Sequence, residues 1–159
     1  MADKRDAGFV DDFRPVRLLA QDSQDLAVIS ALMQDAVVLP NDIGWLQGQR
    51  RFALVANRFR WEDPEAEERV RAGLHAENVR KVRSRGVDAE AQDKPISVLS
   101  LTFEPNPADE GDPSGTLRIA CAGGAEFLIE VEALEVAMRD MTKPWAAKSR
   151  PEHEADEDV

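Results

Sequence analysis

Apolar positions recur at two different periods along this chain. Over residues 23–34 they fall three and four apart, at Leu26, Ile29 and Met33, which predicts a helix with one buried face. Asp22 and Ser23 precede it as N-cap candidates, and Asp25 follows Asp22 by three, like a capping box with the shorter acid. From residue 35 to 131 the period drops to two, the signature of half-buried strands. Val16–Ala20 reads as a short first strand, with Pro15 at its start. Ala36–Leu39 stops at the turn cluster Pro40-Asn41-Asp42, and Ile43–Gln47 is a second short strand ending in a hairpin turn at Gln47-Gly48-Gln49. Arg51–Trp61 is longer, with Ala53, Val55, Phe59 and Trp61 read as one phase. Arg69–Arg83 alternates through Val70, Ala72, Leu74 and Ala76, then slips to Val79 and Val82, which predicts a bulge or bend.

Ile96–Phe103 is the most apolar strand, with Leu99, Leu101 and Phe103 on one side and Ile96 and Val98 on the other. Leu117, Ile119 and Cys121 alternate, Gly123-Gly124 turns, and Phe127, Ile129 and Val131 alternate back, a hairpin. Leu134, Ala137, Met138 and Met141 return to helical spacing, which predicts a closing helix over 131–141, ended by Pro144. The expected fold is α+β and mainly antiparallel β. Six or seven strands would form a pleckstrin-homology-like barrel or a curled sheet, with an N-terminal helix and a C-terminal closing helix. Residues 1–12 read as a disordered leader, 13–145 as a single α+β domain and 146–159 as an acidic disordered tail.

The chain has 159 residues, 43% hydrophobic and 32% charged, enough apolar material for one core and against wholesale disorder. No run reaches the roughly 18 apolar residues of a spanning helix, and the charged N-terminus is no secretory signal. Cys121 is the sole cysteine, so no internal disulfide can form, in keeping with a reducing cytoplasm. The net charge of −11 is uneven. Residues 1–49 carry 4 basic and 8 acidic groups, residues 50–85 carry 10 and 6, and residues 86–159 carry 6 and 17. Such an acidic balance argues against nucleic acid and anionic membrane as partners.

Leu26–Ala36, Trp45-Leu46, Arg51–Leu54, Gly73-Leu74-His75 and Lys143-Pro144-Trp145 together resemble the bacterial DUF2948 family, a domain of unknown function. The likeness spans most of residues 16–145. It implies a cytoplasmic bacterial protein and carries over no activity, cofactor or site residue.

The chemistry-bearing residues are sparse. His75 and His153 are the only histidines. One ordered histidine with one core-phase cysteine makes no zinc site, so no metal is expected. Cys121 continues the phase of Leu117 and Ile119, which predicts a buried, inert thiol. No Gly-x-Ser-x-Gly elbow occurs, and Gly123-Gly124 joins two strands where a phosphate loop would join a strand to a helix. No catalytic residue and no cofactor are therefore expected. Paired carboxylates such as Glu67-Glu68, Glu130 and Glu132 read as solvated surface.

One constellation stands out. Pairing Trp61 with Val70 would set Arg58, Arg60 and Arg71 on one outer face, with Arg69 beside them and His75 further along the same strand. These five residues are the expected anion- or partner-binding set, because guanidinium forks grip carboxylate and phosphate. The competing reading is local: Glu62, Asp63, Glu65, Glu67 and Glu68 lie in the adjoining loop and can neutralise the patch. The expected function is a non-catalytic binding or scaffold domain working through protein–protein contacts or as a homo-oligomer. The alternatives are an enzyme or accessory subunit acting on a small anionic metabolite, and a purely structural homodimer.

Overall fold

A computed structural model describes residues 13–88, 90–107, 111–148 and 151. The expected leader, and all of the expected tail except 146–148 and 151, lie outside the described residues. Among the described residues ten strands and one α-helix form the fold: β1 (Arg17–Ala20), α1 (Ser23–Met33), β2 (Val37–Leu46), β3 (Arg51–Phe59), β4 (Glu68–Ala76), β5 (Val79–Arg85), β6 (Ile96–Pro105), β7 (Gly115–Cys121), β8 (Glu126–Val131), β9 (Val136–Asp140) and β10 (Trp145–Ala146).

The helix starts where its cap places it. The Asp22 carboxylate accepts a hydrogen bond from the Asp25 amide at 2.7 Å, which satisfies one of the amides a helix start leaves open. Leu26, Ile29 and Met33 are buried on its inner face.

All strand pairs are antiparallel, and neighbours run β1-β9-β4-β3-β2-β6-β7-β8-β5, with β10 also on β4. Apart from β1, the order repeats one plan on either side of the β2–β6 pair. Each half is a three-strand meander, β2-β3-β4 or β6-β7-β8, completed by a fourth strand that the other half's meander leads into. The two crossings bond to each other: the Glu77 amide donates to the Glu135 carbonyl at 3.0 Å and the Glu132 amide to the Asn78 carbonyl at 2.9 Å. Asn78 takes φ 60° there, a conformation its short polar side chain tolerates. The bend expected near residue 79 is thus a change of sheet half.

Among the described residues the path ends at β1 and at β5, which do not pair, so the sheet is not closed. Its two halves share one core. Phe52, Leu54 and Leu74 from one half meet Leu117, Ile119, Phe127 and Ile129 from the other, and the rings of Phe52 and Phe127 lie 5.7 Å apart. Helix α1 packs on this inner side against β6, β1 and β3.

Several expectations change. The α+β, mainly antiparallel class stands, but the stretch 131–141 holds the end of β8, a bend and β9, and no closing helix. Leu134, Val136, Met138 and Asp140 alternate inward, and the open edge of β4 supplies backbone partners that outweigh the helix propensity of Glu132–Met138. The pleckstrin-homology-like plan needed that helix. The turn expected at Pro40–Asp42 is a bulge inside one long β2, where the register shifts between Val38 and Ile43. A second bulge, between Val98 and Ser100, turns both Val98 and Leu101 inward and leaves Leu99 exposed. Ala146 and Ala147, read as tail, run beside β4, with the Ala147 amide donating to the Glu67 carbonyl at 2.8 Å.

Candidate functional site

The expected arginine face does not assemble. β3 and β4 pair as Phe52↔Ala76, Leu54↔Leu74, Ala56↔Ala72 and Arg58↔Val70. The expected Trp61–Val70 register is off by three, an odd number, so β3 shows its other face to the core. Phe52, Leu54, Ala56, Arg58 and, at the strand end, Phe59 are buried, and Ala53 and Val55 point outward.

Arg58 is fully buried. Its Nε and Nη2 donate to the two oxygens of Asp140, each at 2.9 Å. Its Nη1 and Nη2 donate to the two oxygens of Glu62 at 2.9 and 2.8 Å, and Nη1 also reaches the Phe59 carbonyl at 3.2 Å. Five contacts occupy all five guanidinium N–H groups, two of the pairs as forks. Asp140 in turn accepts the Val16 amide at 2.9 Å. Burial by itself would lower the Arg58 guanidinium; the hydrogen bonds to Glu62 and Asp140 outweigh it and raise it. Burial would likewise raise the Glu62 carboxyl, and the bonds from Arg58 bring it below its usual range. This cluster ties β3, β9 and the start of β1 together and leaves Arg58 no donor for a partner.

Local partners also hold the neighbouring arginines. Arg60 pairs with Glu68 and stacks 5.0 Å over the Phe13 ring. Arg69 donates to the Asn57 carbonyl at 2.9 Å, and desolvation lowers its guanidinium. Arg71 reaches Asn57 Oδ1 at 3.2 Å and Asp42 at 3.4 Å. Glu62 of the β3–β4 loop, Glu68 at the start of β4 and Asp140 of β9 therefore pair with Arg58 and Arg60. Cys121 is buried, and burial pushes its thiol up to about 11. Among the described residues no group of three His, Cys, Asp or Glu side chains could hold a metal, and no helix is long and apolar enough to cross a membrane.

His75 leads to a different place. It lies on the outer face of β4 in a groove of about 680 Å³. The groove crosses the half-sheet β1-β9-β4-β3-β2 on the side opposite the core. The pairings Leu19↔Ala137, Ala137↔His75, His75↔Ala53 and Ala53↔Gly44 make one row across five strands. The row beside it runs Arg17↔Arg139, Arg139↔Gly73 and Gly73↔Val55. Small residues make much of the floor, and at Gly73 a Cβ would sit 3.2 Å from Met141 Sδ.

The rim is apolar and basic. Leu19, Leu46 and Met141 stand out, at 54%, 41% and 50% exposed, more apolar surface than scattered single residues leave to water. At one end Arg17 and Arg139 face each other across paired strands, an arrangement that costs stability. Among the described residues neither has an acidic partner. At the other end Glu77 holds both His75 Nδ1 at 2.5 Å and Arg51 Nε at 2.8 Å. Sequence reasoning found His75 and missed Arg17, Leu19, Ala53, Gly73, Ala137 and Arg139, because pairing between distant strands brings them together.

The family model described as "Protein of unknown function (DUF2948)" matches residues 16–153. No curated protein and no solved structure matches.

Proposed function

The chain belongs to the DUF2948 family of proteins of unknown function, and we propose that it is a non-catalytic, cytoplasmic binding domain that docks an acidic, amphipathic segment of a partner protein on the outer face of β1-β9-β4-β3-β2. One observation carries the reading: a small-residue groove, rimmed by exposed Leu19, Leu46 and Met141, ends at the facing pair Arg17 and Arg139. Apolar rims gain from being covered, and two guanidinium groups with no acidic partner among the described residues gain from a carboxylate between them. Of the binding set first expected, Arg69, Arg71 and His75 lie on this outer face of β4 while Arg58 is buried, and His75 is the member that lines the groove.

A photo-crosslinking residue at Ala53 tests the reading, with one at Val28 on the outer face of α1 as the comparison. Adducts to one protein, formed from Ala53, absent from Val28 and lost in Arg17→Glu/Arg139→Glu, support it. Equal adducts from both positions, or adducts indifferent to the arginines, refute it. A small anionic metabolite is the second reading, favoured by the Glu77-oriented His75 imidazole. Calorimetric titration with short-chain mono- and dicarboxylates separates the two.

A further inference from the structure

Resting on that reading, we infer that the occupant of the groove is an amphipathic α-helix of about three and a half turns, laid across the strands with an acidic residue at its β1 end. Three features of the face select this shape.

The first is hydrogen bonding. The groove lies on the flat of the sheet, where the ladders already use the backbone groups of the inner strands β9, β4 and β3 and those on the inward sides of β1 and β2. An extended segment placed there would bury amides and carbonyls with nothing to pair them. A helix brings its own bonds and needs only a surface.

The second is size. Five strands at about 4.8 Å spacing span about 19 Å, and at 1.5 Å per residue that is about 13 residues of helix. Across the groove, the row of Arg17 and the row of Leu46 lie four strand positions apart, about 14 Å. A helix is about 10–12 Å wide. Gly44 and Ala53 on one side of His75 and Ala137 on the other keep the middle row low, so the helix backbone can come close to the floor beside the imidazole.

The third is charge. Arg17 and Arg139 lie together at the β1 end, while Arg51 at the other side is neutralised by Glu77. Asymmetry of this kind fixes which end of a ligand carries the acid. The helix on the page that already covers a sheet face, α1, lies on the other side, and its length of 11 residues is close to the length the groove asks for.

Panning a phage library of random 16-residue peptides on the full chain tests this inference. The expected survivors carry apolar residues three and four apart, with Asp or Glu at one end. Synthetic copies should bind at least tenfold more weakly to Arg17→Glu/Arg139→Glu and to Ala53→Lys. Circular dichroism of both variants keeps folding separate from binding. Survivors that alternate at period two, yet are lost in Ala53→Lys, overturn the helix and leave the binding face standing. Survivors indifferent to both variants, or no survivors, overturn the helix and the face together. A dimer in light scattering that Ala53→Lys dissociates makes the occupant a second copy and overturns the inference as well.

Discussion

Replacing Arg58 by Met isolates the buried ion cluster, because Met keeps most of the apolar stem and removes only the guanidinium. Asp140 then remains, its carboxylate fully buried, with the Val16 amide as its remaining partner among those described above. Glu62 loses both of its bonds from Arg58 but is 29% exposed and can turn to water. The cost therefore lies mainly with Asp140. Removing one partner of a buried pair typically costs about 3–5 kcal/mol. Against a total stability of about 5–15 kcal/mol, that is a large fraction. With a urea m-value of about 2 kcal/mol/M, the unfolding midpoint should fall by about 1.5–2.5 M. Arg58→Met/Asp140→Leu should recover most of this, since no buried charge is left behind and matched apolar replacements are often neutral or better. Part is not recovered, because the Val16 amide loses its acceptor, at about 1 kcal/mol. Urea unfolding of the wild type, both single variants and the double variant gives the full cycle. An Arg58→Met midpoint within 0.3 M of wild type, about half a kcal/mol by the same m-value, would refute the reasoning, because Asp140 would then not depend on its guanidinium.

Other consequences of the structure are equally direct. The Glu62 carboxyl is held below its usual range in the folded chain, so the unfolded chain takes up its proton first as pH falls. Its contribution is complete above the ordinary carboxylate range and fades below it, and the stability gap between wild type and Glu62→Gln should shrink from pH 6 to pH 3. A gap that stays constant over that range would contradict this. With its thiol pushed up to about 11 and buried, Cys121 should react with iodoacetamide at pH 8 only after denaturant is added; labelling of the native chain at the rate of a free thiol would contradict the burial. Gly115→Ala should cost about 1–3 kcal/mol in thermal unfolding, because a Cβ there would meet the Glu104 carbonyl and come within 2.6 Å of the Phe103 ring; an unchanged melting temperature would show that β6 and β7 yield at that point.

Helix α1 and most strands are legible in the chain because their signals are local: Asp22 caps, Leu26 and Met33 repeat, and Val70–Ala76 alternates. β3 shows where such signals fail. Phe52, Leu54 and Ala56 lie on one side and Ala53 and Val55 on the other, so apolar content does not choose a face. Arg58 reads as an outward residue, yet its partner Asp140 stands 82 positions away and makes burial tolerable. That long-range pair takes Arg58 out of the expected patch, while Arg69 and Arg71 stay side by side on the outer face of β4, both bonded to Asn57. β9 fails for a related reason: Leu134, Ala137, Met138 and Met141 fit a helix, Leu134, Val136 and Met138 fit a strand, and only the open edge of β4 decides. The groove was illegible except for His75, since its row joins Leu19, Ala137, His75, Ala53 and Gly44 through pairings that skip along the chain.

Amide shift mapping of the isotope-labelled chain, titrated with the tightest peptide from the panning, tests the outer-face claim most directly. The largest changes should fall at Leu19, Ala53, Gly73, His75 and Ala137, with β5–β8 nearly silent. Changes concentrated in β5–β8 or on α1, with the groove row unmoved, would contradict it.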